Sequence, residues 1–318
     1  MANITAGMVK DLRDKTGAGM MDCKTALAET NGDMDVAMDW LRKKGITKAA
    51  KKAGRAAAEG LVGVATGGRV GALVEVNSET DFVARNDEFK DFVKSAAKLA
   101  LEEEGDLERL LKKSMGANDA QQTLTGLVAK IGENMSVRRT VMLGVDQGVV
   151  STYVHNAASP ELGKIGVLVA LKSAAPADKL NALGKQIAMH VAAANPLALT
   201  PAHLDPAVIE KERGIQADIA RQSGKPENVI EKMLEGRMRK FYEESVLISQ
   251  TFLAPGAEDG ITVGKAVEKA AKEMGTPISL EGFVRFQVGE GIEKIEGDFA
   301  DEVAKMSGTK KGGDSEKV

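Results

Sequence analysis

Aromatic residues make up only 3% of this 318-residue chain, with one tryptophan, two tyrosines and eight phenylalanines. A phenylalanine in polar surroundings therefore carries information. Cysteine is nearly absent too. The single thiol, Cys23, rules out an internal disulfide and leaves no Cys/His zinc spacing. The three histidines, His155, His190 and His203, stand far apart in the chain. No apolar run approaches the roughly 18–20 residues that span a bilayer, so no membrane contact is expected. The stretch "MANITAGMVKDL" (residues 1–12) has neither a signal-peptide apolar region nor Arg/Ser-rich transit character, and a cytoplasmic location is expected. Basic residues are not in excess: 43 Lys and Arg face 46 Asp and Glu, a net charge of -3. Direct nucleic-acid binding wants a basic footprint and is not expected.

Phosphate and metal motifs are missing as well. "GITVGKA" (residues 260–266) lacks the phosphate-loop spacing and ends in Ala266, which offers no hydroxyl to Mg²⁺. "GEGIEK" (residues 289–294) fails the dinucleotide pattern. "EEE" (residues 102–104) reads as a solvated helix end rather than a metal site. No cofactor, no metal and no catalytic constellation is expected, and an enzyme is not favoured.

What remains is 43% apolar content, enough for two or three cores. The patterning predicts an α+β protein. Residues 1–46 form a small three-helix domain. Val9 and Leu12 line one helix, Cys23, Ala26 and Leu27 a second, and Val36, Ala37, Trp40 and Leu41 a third. A basic, alanine-rich linker, partly helical, covers residues 47–59.

An internal repeat follows. "GRVGALVEVN" (residues 68–77) matches "GKIGVLVALK" (residues 163–172) with two glycines and the apolar run in register. Each copy ends a predicted hairpin and precedes an amphipathic helix, one lined by Phe89, Phe92, Val93 and Ala96, the other by Leu180, Leu183, Gly184 and Ile187. Two related α+β core subdomains are expected, residues 60–145 and residues 146–199 with 246–285. Residues 200–245 read as an inserted antiparallel helical hairpin that projects and can self-associate. "GFVRFQVGEG" (residues 282–291) completes the repeat's sheet. A C-terminal module, residues 286–306, contributes the last helix. Residues 307–318, polar and glycine-rich, read as a disordered tail.

The two copies differ where loops lie. The first is longer between Asn77 and Phe89, within "TDFVARN" (residues 80–86). The second has the longer hairpin turn, "HNAASPELG" (residues 155–163). Loops carry function on rigid frames, so both asymmetries are candidate contact points. Phe82 either caps the hydrophobic face begun by Phe89 or faces a partner. Asp81 is a possible helix N-cap, in competition with Thr80 and Asp87. Arg85 reads as a brace and Asn86 as a turn residue. Met20 and Met21 are adjacent on a helix, so one of them offers an adaptable surface. His190, on an apolar helix, is expected to be buried and satisfied.

At "TDFVARN" the chain resembles the elongation factor Ts family, exchange factors for the translational GTPase elongation factor Tu. The likeness extends to about residue 306, through stretches such as "LRDKTGAGMMDCKTAL", "KAAKKAGR", "LVAKIGEN", "IAMHVAA" and "IARQSGKPENVIEKMLEGRM". The resemblance implies a non-enzymatic partner that speeds GDP release. It implies that Thr80, Asp81, Phe82, Val83, Ala84, Arg85 and Asn86 form the loop that enters the GTPase near its Mg²⁺. It further implies contacts at Arg13, Met20, Met21 and His155, and at Phe252 and Leu253, where the family's Gln-Pro-Phe is here Gln250-Thr251-Phe252. The C-terminal helix is implied to dock as well, and the helical hairpin to dimerise. From the residues alone, a non-catalytic oligomeric adaptor is the alternative reading.

Overall fold

A computed structural model describes residues 4–16, 18–222, 224 and 226–292. The first three helices are α1 (Ala6–Thr16), α2 (Met20–Glu29) and α3 (Met34–Lys52). Leu12, Cys23, Ala26, Leu27 and Ala37 are fully buried among them. The Asp33 side chain caps α3 by accepting from the Val36 amide. α3 runs unbroken past residue 46, where the linker was expected to begin, because the Ala- and Lys-rich stretch consists mostly of good helix formers.

Two larger antiparallel sheets and one two-stranded ribbon follow, mixed with helices. β1 (Glu59–Thr66) and β2 (Val70–Ser78) form a hairpin, followed by α4 (Asp87–Glu102), α5 (Leu107–Lys112), the short β3 (Ser114–Met115) and β4 (Asn118–Asp119), and α6 (Ala120–Ile131). Then come β5 (Met135–Gly144), β6 (Gly148–His155), β7 (Leu162–Gly163), β8 (Ile165–Lys172) and α7 (Ala177–Ala194). α8 (Pro206–Arg221) and α9 (Glu227–Ser245) pack on each other, and α10 (Val263–Met274) and β9 (Ser279–Gln287) close the described chain. One sheet has the order β5-β2-β1-β7, the other β6-β8-β9.

Each sheet carries a helix on one face. Phe89, Phe92, Val93 and Ala96 of α4 pack on the first, with Phe89 fully buried. Leu180, Leu183 and Ile187 of α7 pack on the second. Burial of each of the larger side chains, the phenylalanines, leucines, Val93 and Ile187, stabilises by about 1.5–3 kcal/mol. The other faces meet in a shared layer that includes Val62, Val64, Leu73, Val150, Leu168 and Phe286. This layer explains the second glycine of each matched segment. A Cβ on Gly71 would lie 2.9 Å from Val150 Cγ1 and 3.0 Å from Leu168 Cδ2. One on Gly166 would lie 2.6 Å from Val62 Cγ1. Both positions are bare so that the sheets can approach.

Three expectations change. β5 was not anticipated, because Arg138 and Arg139 interrupt its apolar alternation; both side chains are occupied by a buried acid, Glu75. The longer turn of the second hairpin is not simply a contact loop. It contains β7, which pairs Leu162 with Gly63 and Gly163 with Val62, so its extra length stitches the second hairpin to the first sheet. Glu103 in the acidic triplet is only 8% exposed and pairs with Arg109 and Lys113, so it is not a solvated charge. The last helix predicted near residues 298–306, and the tail at 307–318, lie outside the described residues.

Candidate functional site

The 80–86 loop leaves the end of β2 and enters α4 through a 3-10 turn, Val83–Arg85. The side chains of this loop divide sharply. Val83 and Ala84 are 3% and 5% exposed and belong to the first core. Phe82, immediately before them, is 72% exposed. It does not cap the face begun by Phe89. Two buried apolar anchors thus fasten the loop while its ring points to solvent. The side chains of Val83 and Ala84 are taken up by the core.

The charged neighbours brace the tip. Arg85 pairs with Asp81 at 3.0 Å, and its guanidinium lies 5.7 Å from the centre of the Phe82 ring. The N-cap of α4 is Asn86, whose Oδ1 accepts from the Phe89 amide at 3.1 Å. Asp81, Thr80 and Asp87 do not hold that job. Thr80 is half-buried and bonds to Glu133 through its amide and its hydroxyl. The sequence carried no signal for Glu133, a charged residue just beyond a helix end.

The other candidate residues fall on different packing units. Arg13, Met20 and Met21 are exposed on α1 and α2, the two methionines at 60% and 71%, so neither belongs to the helical core. His155 is exposed at the end of β6, and its Nδ1 lies 3.2 Å from the Tyr153 hydroxyl. Phe252 is 7% exposed and packs in the second core, whereas Leu253 is 60% exposed. The Phe252 side chain is thus taken up by the core, as that of Val83 is. The Thr251 departure is harmless to the backbone here: the bridge to Thr262 uses the Phe252 amide and the Gln250 carbonyl, and neither depends on what stands at 251.

Leu253 is held by a buried histidine. The Leu253 amide donates to His190 Nδ1 at 3.2 Å. An amide can only donate, so Nδ1 is the acceptor and His190 Nε2 carries the proton it gives to Gln250 Oε1, 2.9 Å away. Gln250 is fixed in turn by donating to the Glu244 carbonyl, and the Phe252 ring stands edge-on to the imidazole. Burial holds the His190 pKa below its ordinary 6.5. The unfolded chain therefore takes up a proton that the folded one refuses. Stability is whole above pH ~6.5 and declines as the pH falls below it. A melting-temperature series from pH 7 to 5 is expected to show this decline, and a His190→Gln variant to lack that part of the slope. Equal slopes in the two proteins would place the acid sensitivity elsewhere.

A cleft of about 750 Å³ lies between the N-terminal helices and α6, lined by residues such as Lys15, Arg42, Ile46 and Gln122. None of the candidate contact residues lines it. Asp22 there is shared by Lys44 and Lys48, whose hydrogen bonds hold its carboxyl below the usual range. Among the described residues, no group of three His, Cys, Asp or Glu side chains is arranged to hold a metal, and no helix is long and apolar enough to cross a membrane.

The arrangement is an α+β protein in which Phe82 and Leu253 stand exposed beside buried neighbours. Comparison with known proteins gives the family. The elongation factor TS family model matches residues 79–290. The elongation factor Ts of Brucella anthropi is 57% identical over 302 residues, covering 95% of this chain and 98% of that protein. That of Rhodospirillum centenum is 57% identical over 311 residues, covering 97% and 100%. That of Paramagnetospirillum magneticum is 56% identical over 315 residues, covering 98% and 100%. The chain belongs to the elongation factor Ts family.

Proposed function

We propose that this chain binds elongation factor Tu carrying GDP and promotes release of the nucleotide, with Phe82 as the wedge. Membership of the elongation factor Ts family sets the activity: nucleotide exchange on a translational GTPase, a binding role and not an enzymatic one. The observation that carries the mechanism is the ring of Phe82, 72% exposed beside two buried neighbours. A factor that prefers the nucleotide-free GTPase must weaken GDP by the same factor, because coupling between sites is reciprocal. Coupling of about 1.4 kcal/mol gives tenfold, so a few kcal/mol accelerate release by orders of magnitude.

Phe82 supplies the apolar area that opens a gap between helices of the partner. Asp81 brings a carboxylate to the edge of the metal's coordination shell, and Mg²⁺ tolerates distortion poorly. The Asp81–Arg85 pair is exposed, 48% and 75% at the two side chains. Such pairs contribute only about 0–1 kcal/mol, so Asp81 is readily released to the partner. Arg13, Met20, Met21, His155 and Leu253 are the further contacts, on the N-terminal helices and the second sheet's unit, so that with Phe82 on the first the GTPase is gripped at several places.

The domain reading accompanies this proposal. Residues 1–46 form the N-terminal grip, and 47–59 join it to the core. Residues 60–145, and 146–199 with 246–285, form two repeated subdomains, with 286–306 as a C-terminal module. The hairpin at 200–245 serves self-association; exposed Val208, Ile215 and Ile219 recur at helical spacing along α8 and support a second copy as its partner. The location is cytoplasmic, with no role for nucleic acid or membrane. The test is the release of a fluorescent GDP analogue from elongation factor Tu with and without this chain. Acceleration is expected, and an unchanged rate at saturating factor would remove the proposal.

A further inference from the structure

The wedge loop is gripped from the far side of the first subdomain by two consecutive residues, Glu133 and Asn134. They follow Gly132, which ends α6 in a left-handed conformation at φ 86° and turns the chain toward β2. Glu133 Oε2 accepts from the Thr80 amide at 3.0 Å, and its Oε1 accepts from the Thr80 hydroxyl at 2.8 Å. The grip is reciprocated one residue along. Glu79 Oε1 accepts from the Asn134 amide at 2.5 Å. The Asn134 side chain donates to the Arg55 carbonyl at 2.7 Å, and Arg55 pairs with Glu79 at 3.3 Å. Ser78 Oγ adds a bond to the Thr80 carbonyl at 2.9 Å.

The placement of these bonds is informative. On one side of the Asp81–Phe82 tip, Thr80 is held by Glu133. On the other, Val83 and Ala84 sink into the core and Asn86 caps α4. Only Asp81 and Phe82 are left between Thr80 and the buried Val83, and the Phe82 ring faces outward. A ring that must separate helices of a partner has to resist being pushed back, and a loop pre-set in its bound shape avoids the ordering cost of binding. Charge-assisted bonds to a backbone amide are the strong kind of hydrogen bond, and Glu133 makes one to the residue next to the tip.

We infer that Glu133 is a positioning residue for exchange: through Thr80 it fixes the angle at which Phe82 meets the GTPase. This rests on the reading of Phe82 as the wedge. Asn134 and Arg55 extend the same clamp to the connection that follows α3, so the base of the N-terminal helices is tied to the loop.

The test uses full-length variants and elongation factor Tu loaded with a fluorescent GDP analogue, at saturating factor. Glu133→Ala is expected to slow stimulated release about tenfold, a loss of about 1.4 kcal/mol in coupling. Glu133→Gln keeps one oxygen to accept from the Thr80 amide and is expected to recover most of the rate. The double variant Glu133→Ala/Phe82→Ala is expected to be no slower than Phe82→Ala, because a clamp on an absent ring has nothing to position. Faster hydrogen exchange at the Thr80 amide in Glu133→Ala, with the β1 and β2 amides unchanged, reads the clamp directly. A wild-type rate in Glu133→Ala, or a slowing that adds in full to that of Phe82→Ala, overturns the inference. Should Glu133→Ala fail to fold, Glu133→Leu, which keeps the bulk of the side chain but offers no acceptor to Thr80, takes its place, and a wild-type rate with unaltered Thr80 exchange in that protein does the same. A wild-type rate in Phe82→Ala is a distinct outcome: it removes the wedge itself and the positioning role with it.

Discussion

Replacing Phe82 by alanine is expected to slow stimulated GDP release by about 30-fold or more, equivalent to about 2 kcal/mol, the level that marks an interface hot spot. The same change is expected to leave folding almost untouched. The ring is 72% exposed and packs on nothing but the guanidinium of Arg85 among the ring contacts described. Exposed substitutions of this sort shift the unfolding free energy by no more than about 0.5 kcal/mol. A core phenylalanine behaves oppositely, costing about 3–5 kcal/mol on truncation. Denaturant unfolding and nucleotide release, measured on the same preparation, therefore separate the two roles of the residue. A large drop in stability with a normal rate would make Phe82 a packing residue.

Glu75→Ala carries the largest expected effect on stability, about 3–5 kcal/mol, the size seen when one partner of a buried ion pair is removed. Glu75 is fully buried on β2. Its Oε2 accepts from Arg139 Nε at 2.6 Å and its Oε1 lies 3.1 Å from Arg138 Nη1. Oε1 also accepts from the Gly289 amide at 2.8 Å and from Asn77 at 3.0 Å. One carboxylate therefore joins β2, β5 and the turn after β9. Alanine would take the buried carboxylate from Arg138 Nη1 and Arg139 Nε and leave the Gly289 amide without its acceptor.

Burial alone would raise the Glu75 pKa, but the Gly289 amide, Asn77 and Arg139 outweigh it and hold the group below its ordinary 4.5. The sign follows from linkage. The contribution of Glu75 is complete above pH ~4.5 and is lost as the pH falls through the lower folded value. Wild type is expected to lose stability steeply in that acid window, and Glu75→Gln to lose less across it. Parallel acid profiles in the two proteins would assign the loss to other carboxylates.

α1 to α4 and α7 to α9 were legible because their apolar residues recur at 3- and 4-residue spacings, and Leu12, Phe89 and Ile187 were each placed on a buried face from spacing alone, whereas α5, α6 and α10 were not read from the sequence. The hairpins were legible from the matched glycines and apolar runs. β5 was not, because its arginines look solvent-facing until the buried acid that pairs with them is seen. At the site, the position of the loop was legible from its extra length, but the division of labour within it was not. Val83 and Phe82 are adjacent apolar residues on one turn, and no local rule says which of them turns inward. The same holds for Phe252 and Leu253.

The sequence by itself determined most of the helices, the internal likeness of the two hairpins and the family resemblance. These depend on neighbours in the chain, where periodicity and turn residues act. Tertiary structure alone decided which side chains remain outside and what holds them there. The layer between the sheets, the stitch made by β7, and the hold of Glu133 on Thr80 and of His190 on Leu253 all join residues far apart in sequence. Their partners are chosen by packing, which no local pattern encodes.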